Sequence, residues 1–450
     1  MFCEFFALRR EIMLLEFKTT NYKSFAEEAT FSMSPAPKQK GLDYSVQAEK
    51  IGSKSYKGLC SAVIYGPNAS GKTNIIGAMD TMKSIVLRGN IKNSPLPSPN
   101  QASSLLELVP NCDLKATPTS FFIKFIENGL VVCYSFTATL GDFLDTNYTR
   151  EIQEESLTIN EKLVFARSKE LVIELPSCIK EYLNNSIKTV TPQALQIAKS
   201  SLNKDELFLN NGFKTIFSQK LVSLVTNWLD NKFMVVYRSD ALQTMRKFAN
   251  PRANTIYVEK TLTEASKVFG INSNALGYRA VADGNDDLVL CSIFNDKKIA
   301  IPAVLFESYG TLRFVNEFPL IINALLNGAT LIMDEFDASI HPMALMNIIN
   351  IFHNDEINKQ HAQLIFNTHN PIFLNSSLFR RDEIKFVERD EKTNHSIHYS
   401  LSDFKTTDGT RKGEDYMKNY FVSKYGAIKD VDFSPILEEI INETEVKKNA

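Results

Sequence analysis

"YGPNASGKTN", Tyr65 to Asn74, places two glycines, a lysine and a threonine within ten residues, directly after the apolar run "SAVI". Glycine loses more backbone entropy on folding than any other residue, so Gly66 and Gly71 imply a turn that requires bare backbone. Ser61 to Tyr65 reads as a short buried strand, and downstream Ile75, Ile76, Met79, Met82 and Val86 recur at helical spacing. A strand, a glycine-rich turn and a helix in that order make a phosphate cradle. The amides form an anion nest, and the helix adds its positive N-terminal end. The pattern GxxxxGK[ST] is met at Gly66, Gly71, Lys72 and Thr73. The expected nucleotide-binding set is Gly66, Pro67, Asn68, Ala69, Ser70, Gly71, Lys72, Thr73 and Asn74. Lys72 would reach the β- and γ-phosphates of ATP, and the Thr73 hydroxyl would ligate Mg2+.

Such a loop needs an acidic partner at the end of a buried strand. "GATLIMDEFD" supplies an apolar run from Ala329 to Met333, followed by Asp334 and Glu335. Ligands bind at the carboxyl ends of strands in open parallel sheets. Asp334 is the expected second Mg2+ ligand, and Glu335 is placed to orient or deprotonate a water. "QLIFNTHNPIFL" offers a further strand, Gln363 to Asn367, with His369 just beyond it. An imidazole there could bond the γ-phosphate or the water. In "FESYGTLRF", Ser308 and Gly310 precede a helix through Val315, Phe318, Ile321, Ile322 and Leu325, with a kink expected at Pro319. That helix start reads either as a second anion site or as a simple N-cap by Ser308 or Thr311.

Composition bounds the rest. The chain has 450 residues, 44% of them hydrophobic and 23% charged, with a formal net charge of −2. It can bury a large core, and it exerts no global attraction on nucleic acid or anionic lipid. A nucleic-acid contact would need a local patch, for which Lys405, Arg411, Lys412, Lys418 and Lys424 are the candidates, set against ordinary solvated surface. Six cysteines are scattered without a CxxC, which argues against zinc and disulfides and fits a reducing cytoplasm. No apolar run reaches the roughly 18 residues of a membrane helix. In "MFCEFFALRREI" the arginines follow the apolar stretch, the wrong order for a secretory signal, and Met13 competes with Met1 as the start of translation.

Along the chain, Leu14 to Tyr22 and Glu28 to Met33 read as strands, and the proline-rich 90–103 reads as a loop. "SFFIKFIENGLVVCYSFTATL" is a hairpin turning at Asn128-Gly129, and short strands continue from Glu154 to Arg167. Helices follow from about residue 176, with Thr191 as an N-cap, Pro192 at the first helical position and Trp228 as core packing. Strand-like runs return from Tyr278 to Leu305. "VERDEKTNHSIHYSL" reads as a solvated hairpin and "PILEEIINETEVKKNA" as an exposed, fraying helix. The expected divisions are an N-terminal ATPase lobe over 13–175, a helical insertion over 176–250, a C-terminal ATPase lobe over 251–430 and a polar tail over 431–450.

The order of these motifs, "GPNASGKT", "ESYGT", "LIMDEFDASIHP" and "NTHN", resembles ABC-type ATPase heads of the SMC and OLD kind. More closely, it is similar to stand-alone bacterial ATPases of phage-defence operons, the RloA/AbiL and PARIS AriA type. "LLEFKTTNYKSF" resembles the first strands of those heads, and the likeness spans most of 13–430. The resemblance implies an α/β P-loop NTPase head with a mixed or parallel central sheet, an antiparallel β layer and a helical insertion. It implies that two copies meet head to tail, with Ser308 and Gly310 contacting the γ-phosphate held by the partner. Asp337 would lie at the seam, and His369 would act as a switch. "ESYGT" departs from the transporter signature, and Gln101 and Gln153 are the candidates for a Q-loop glutamine. A separately encoded effector, a nuclease or toxin, is the implied protein partner. An SMC-like DNA-repair ATPase is the competing reading.

Overall fold

In the computed structural model, Ser61–Tyr65 is buried along its whole length near the middle of a six-stranded sheet. The structure describes residues 12–450 apart from 38, 40, 93–106, 115–116, 142–148, 186, 188, 238–255, 259, 269–274, 281–287, 295–298, 339, 405–413, 430 and 450. Gln101, Lys405, Arg411, Lys412 and most of the expected 90–103 loop therefore lie outside the described residues. The strand order is Phe233–Val236, Thr330–Met333, Gln363–Asn367, Ser61–Tyr65, Ile384–Arg389 and Ser396–Ser400. The first five run parallel, and Ser396–Ser400 pairs antiparallel at the edge. Parallel strands covered on both faces are apolar throughout, which is why "SAVIY" and "TLIM" show no alternation. Ser61 Oγ ties down the start of its strand by donating to Glu383 Oε1 at 2.8 Å.

A second sheet of seven antiparallel strands lies beside this one, in the order Leu171–Ile173, Lys162–Arg167, Glu151–Ile159, Leu130–Thr139, Thr119–Glu127, Ile12–Thr20 and Ala29–Ser32. Its central hairpin turns at Asn128 and Gly129 as expected, and their φ values of 50° and 72° are those of a type I′ turn. One hydrophobic cluster joins Phe121, Ile123 and Phe125 of this sheet to Ile75, Ile76 and Met79 of the Lys72–Arg88 helix. Gln363 stitches the sheets together: its Oε1 accepts from Leu14 N at 2.7 Å, and its Nε2 donates to Leu59 O at 2.8 Å.

Helices Pro192–Ser200 and Gln219–Asn231 occupy the stretch read as helical, and the Thr191 side chain caps the first by accepting from Ala194 N. The helical reading of 176–250 does not hold to its end. Phe233–Val236 is a strand, paired parallel with Thr330–Met333. "FMVV" has no polar face to show to solvent, and a sheet edge beside an apolar strand hides it better than a helical turn would. Trp228 stacks on Phe125 with ring centroids 3.8 Å apart and a 10° interplanar angle, and it also stacks on Phe233.

A four-stranded sheet, Ile256–Val258, Ala275–Ala280, Leu288–Phe294 and Ile299–Pro302, precedes the long Tyr309–Asn327 helix. That helix contains Pro319 and ends on Gly328, whose φ is 66°. Ile384–Arg389 and Ser396–Ser400 form the expected hairpin. Ser434–Asn449 is helical, as expected of the tail, and its first turns expose Ile436, Leu437 and Ile440 alongside Glu438 and Glu439. Among the described residues, no helix is long and apolar enough to cross a membrane. Trp228→Ala should destabilise the protein by about 3–5 kcal/mol, measured as a fall in the urea midpoint at unchanged slope.

Candidate functional site

The turn after Ser61–Tyr65 needs its glycines for lack of space. Gly71 has a φ of 110°, and a Cβ there would collide with Ser396 Oγ and Ser24 Oγ. A Cβ on Gly66 would collide with the Val387 carbonyl oxygen. Ala69 accepts a φ of 61°, a left-handed conformation that costs a residue with a Cβ roughly 1–2 kcal/mol. Gly71 offers the following helix no side-chain cap. No side chain competes there for an anion at the first amides, and the helix dipole lies behind them. Lys72 is buried and donates to the carbonyls of Gly66 at 2.7 Å and Pro67 at 2.9 Å. Burial pushes the Lys72 ammonium down to about 8, against the attraction of Asp334, Glu335 and Asp337.

Parallel pairing sets three strand ends side by side. Thr73 Oγ1 donates to Asp334 Oδ1 at 3.0 Å, which joins the turn to the end of Thr330–Met333. Asn367, which closes Gln363–Asn367, donates to Asp334 Oδ1 and accepts from Glu335 N. Asp334 is 4% exposed. Two hard oxygens facing each other beside a phosphate cradle suit Mg2+ in chemistry. His369 follows two residues after Asn367, where burial and the nearby Lys72 charge lower its pKa below the usual imidazole value.

Glu335, His369 and the residues from Asn68 to Asn74 line one cavity of about 690 Å³. Its outer wall comes from places that the sequence reading did not assign to the site: the Asn21–Phe25 turn, the 109–113 loop and the tip of the Ile384–Ser400 hairpin. Ser24 Oγ accepts from Asn74 Nδ2 and from Ser396 Oγ, both at 2.7 Å, so turn, loop and hairpin are bonded around the phosphate cradle. His395 Nε2 and Asp113 Oδ2, 2.8 Å apart, clasp the hairpin to the 109–113 loop. Asn367 was also missed, although a polar residue closing an otherwise apolar strand, next to "TH", was the available signal.

Other expected residues are not gathered here. Ser308 caps the Tyr309–Asn327 helix by accepting from Thr311 N at 3.2 Å, and neither it nor Gly310 lines the cavity. Asp337 accepts from Thr368 Oγ1 at 2.6 Å and is near enough to attract the Lys72 ammonium, but it does not line the cavity. Gln153 is exposed on the antiparallel sheet, where it donates to Thr139 Oγ1 at 2.6 Å, and it does not line the cavity.

A family model described as "AAA domain, putative AbiEii toxin, Type IV TA system" matches residues 61–375, more than half of the chain. No curated protein matches it. Among solved structures, the SMC head domain from Thermotoga maritima is similar at 15% identity and a TM-score of 0.33, covering 86% of this chain and 98% of that one. A crystal structure of the SmcHead bound to the C-winged helix domain of ScpA is similar at 13% identity and a TM-score of 0.37, with 87% and 98% covered.

A phosphate at the cradle would favour the charged form of Lys72 and raise its pKa above the value near 8 of the free protein. Nucleotide affinity should therefore be highest below pH 8 and fall as pH rises through 8. Titrations with a fluorescent triphosphate at pH 7 and 9 check this. Equal affinities would mean that Lys72 does not meet the phosphates.

Proposed function

The chain belongs to this family of AAA domains, and from that premise we propose that it binds ATP with Mg2+ and hydrolyses it between two copies of itself. The observation that carries this reading is the Thr73–Asp334 bond, which brings the hydroxyl after the phosphate loop against the acid ending a neighbouring parallel strand. The amides after Gly66 and the Lys72 ammonium hold the β- and γ-phosphates. Thr73 and Asp334 would hold Mg2+, which when bound neutralises phosphate charge. Glu335 takes a proton from the attacking water or orients it, and His369 bonds the γ-phosphate side of the cavity.

The head-to-tail pairing is supported by what Ser308 does not do. It lies off its own cavity, and around it Val304 is 71% exposed, Leu305 78%, Phe306 48% and Tyr309 57%. Large apolar groups clustered on a surface mark an interaction site. A second copy docked there would cover them and bring Ser308 and Gly310 to the partner's triphosphate. ATP then joins the copies, and hydrolysis releases them.

The motif order supports a role in anti-phage defence, and the toxin–antitoxin system named in the family description fits a function carried out with a second gene product. In this reading the chain is a cytoplasmic sensor ATPase acting with a separately encoded nuclease or toxin. A net charge of −2 gives the competing DNA-clamping reading no support of its own.

Glu335→Gln should keep nucleotide affinity and lose roughly 100-fold or more in turnover. Lys72→Ala should weaken binding roughly 10- to 100-fold. Phosphate release and fluorescent-nucleotide titration measure the two effects, and unchanged turnover in Glu335→Gln would remove it as the base. Plaque counts on cells carrying the chain with its neighbouring gene test the defence role, which fails if Lys72→Ala protects as well as the parent.

A further inference from the structure

Glu335 leaves its strand with a φ of 51°, a left-handed conformation that costs a non-glycine residue on the order of 1–3 kcal/mol. Two side chains hold it there from separate elements. Asn367, closing the adjacent strand, accepts the Glu335 N–H. Arg313, on the Tyr309–Asn327 helix, donates from Nη2 to the Glu335 carbonyl oxygen. Both backbone polar groups of the proposed base are thus gripped while its side chain faces the cavity.

Arg313 is itself fixed. Its Nε donates to Glu317 Oε1 at 2.8 Å, one helical turn further on, and the two side chains are only 5% and 1% exposed. Among the described residues, the other oxygen, Glu317 Oε2, is buried without a hydrogen-bond partner. Burial pushes the Glu317 carboxyl up to about 8, Arg313 draws it down and Asp337 adds to the rise. Burying an ion pair costs several kcal/mol in desolvation per charge, so such a pair is weak evidence of a stabilising role. The guanidinium instead bridges a helix to a strained peptide beside the reacting groups.

We propose that Arg313 is a positioning residue for hydrolysis: it sets the direction of the Glu335 carboxylate through that residue's carbonyl and links it to the start of its own helix, where Ser308 and Gly310 lie. Ser308 is five residues before Arg313, about 7.5 Å along a helix axis. When a partner's triphosphate meets Ser308, the helix shifts as a rigid body, and the guanidinium carries the Glu335 peptide with it. Binding across the interface and readiness of the base on the near side become one event. This inference rests on the ATPase reading above.

Arg313→Met should leave nucleotide affinity and KM within about twofold of the parent while kcat falls roughly 10- to 100-fold. Arg313→Lys keeps one donor for the carbonyl and should recover part of kcat. Arg313→Met leaves Glu317 buried without that partner, and burial favours the neutral form of its carboxyl. Should Arg313→Met nevertheless fail to fold, Arg313→Met combined with Glu317→Leu replaces the pair by apolar groups, a change that buried pairs commonly tolerate, and it should show the same kcat loss. A folded double variant with the parent's kcat overturns the proposal, as does a kcat loss matched by an equal loss of nucleotide affinity. A parent that hydrolyses no ATP overturns the ATPase reading first, and this one with it.

Discussion

The in-register parallel pairing of three strands is the constraint on which the site depends. Ser61 faces Leu364, and Gln363 faces Thr330, so the strands that end at Tyr65, Asn367 and Met333 finish at one edge. A slip of one residue would displace an end by about 3.3 Å, more than a hydrogen bond tolerates. The Thr73–Asp334 and Asn367–Asp334 bonds would then break together. The buried amide of Gln363 resists that slip, since it bonds Leu14 in the other sheet and Leu59 just before the loop strand.

The site itself is built from conformations that cost free energy. Ala69 and Glu335 are both left-handed. Lys72 is buried, and its ammonium donates to two carbonyls, those of Gly66 and Pro67. Such strain persists where surrounding packing over-determines it. Here the surroundings are two hydrophobic clusters, one on each side of the central sheet, with the Lys72–Arg88 helix anchored in the first by Ile75, Ile76, Met79 and Met82. A rigid cradle is also what phosphate binding requires, because amides already aimed at the anion need no reorganisation when it arrives.

Much of this was legible along the chain, and the reasons are local. "SAVIYGPNASGKT" specifies a strand, a turn and a helix within one segment, and the structure places all three as expected. Asn128-Gly129 specifies its turn because only such residues accept two positive φ values in succession. Thr191-Pro192 specifies a helix start for similarly local reasons. "FMVV" was misread because a short apolar run after a helix has no period of its own to distinguish a further turn from an edge strand. Arg313 went unnoticed because one arginine in an amphipathic helix is ordinarily solvated, and only packing reveals that it points inward.

Short stretches of chain specify the candidate chemistry: a loop suited to a phosphate, an acid at a strand end and a histidine after the next strand. These follow from backbone preferences and side-chain types over a few neighbouring residues. Tertiary structure alone decided the company they keep. It set Asp334 against Thr73 across 261 positions of chain, closed the cavity with the 109–113 loop and the 389–395 part of the hairpin, and kept Ser308 out of the cavity lining. Contacts between distant segments depend on sheet order and register, and those come from burying two sheets around shared helices rather than from any short stretch of residues.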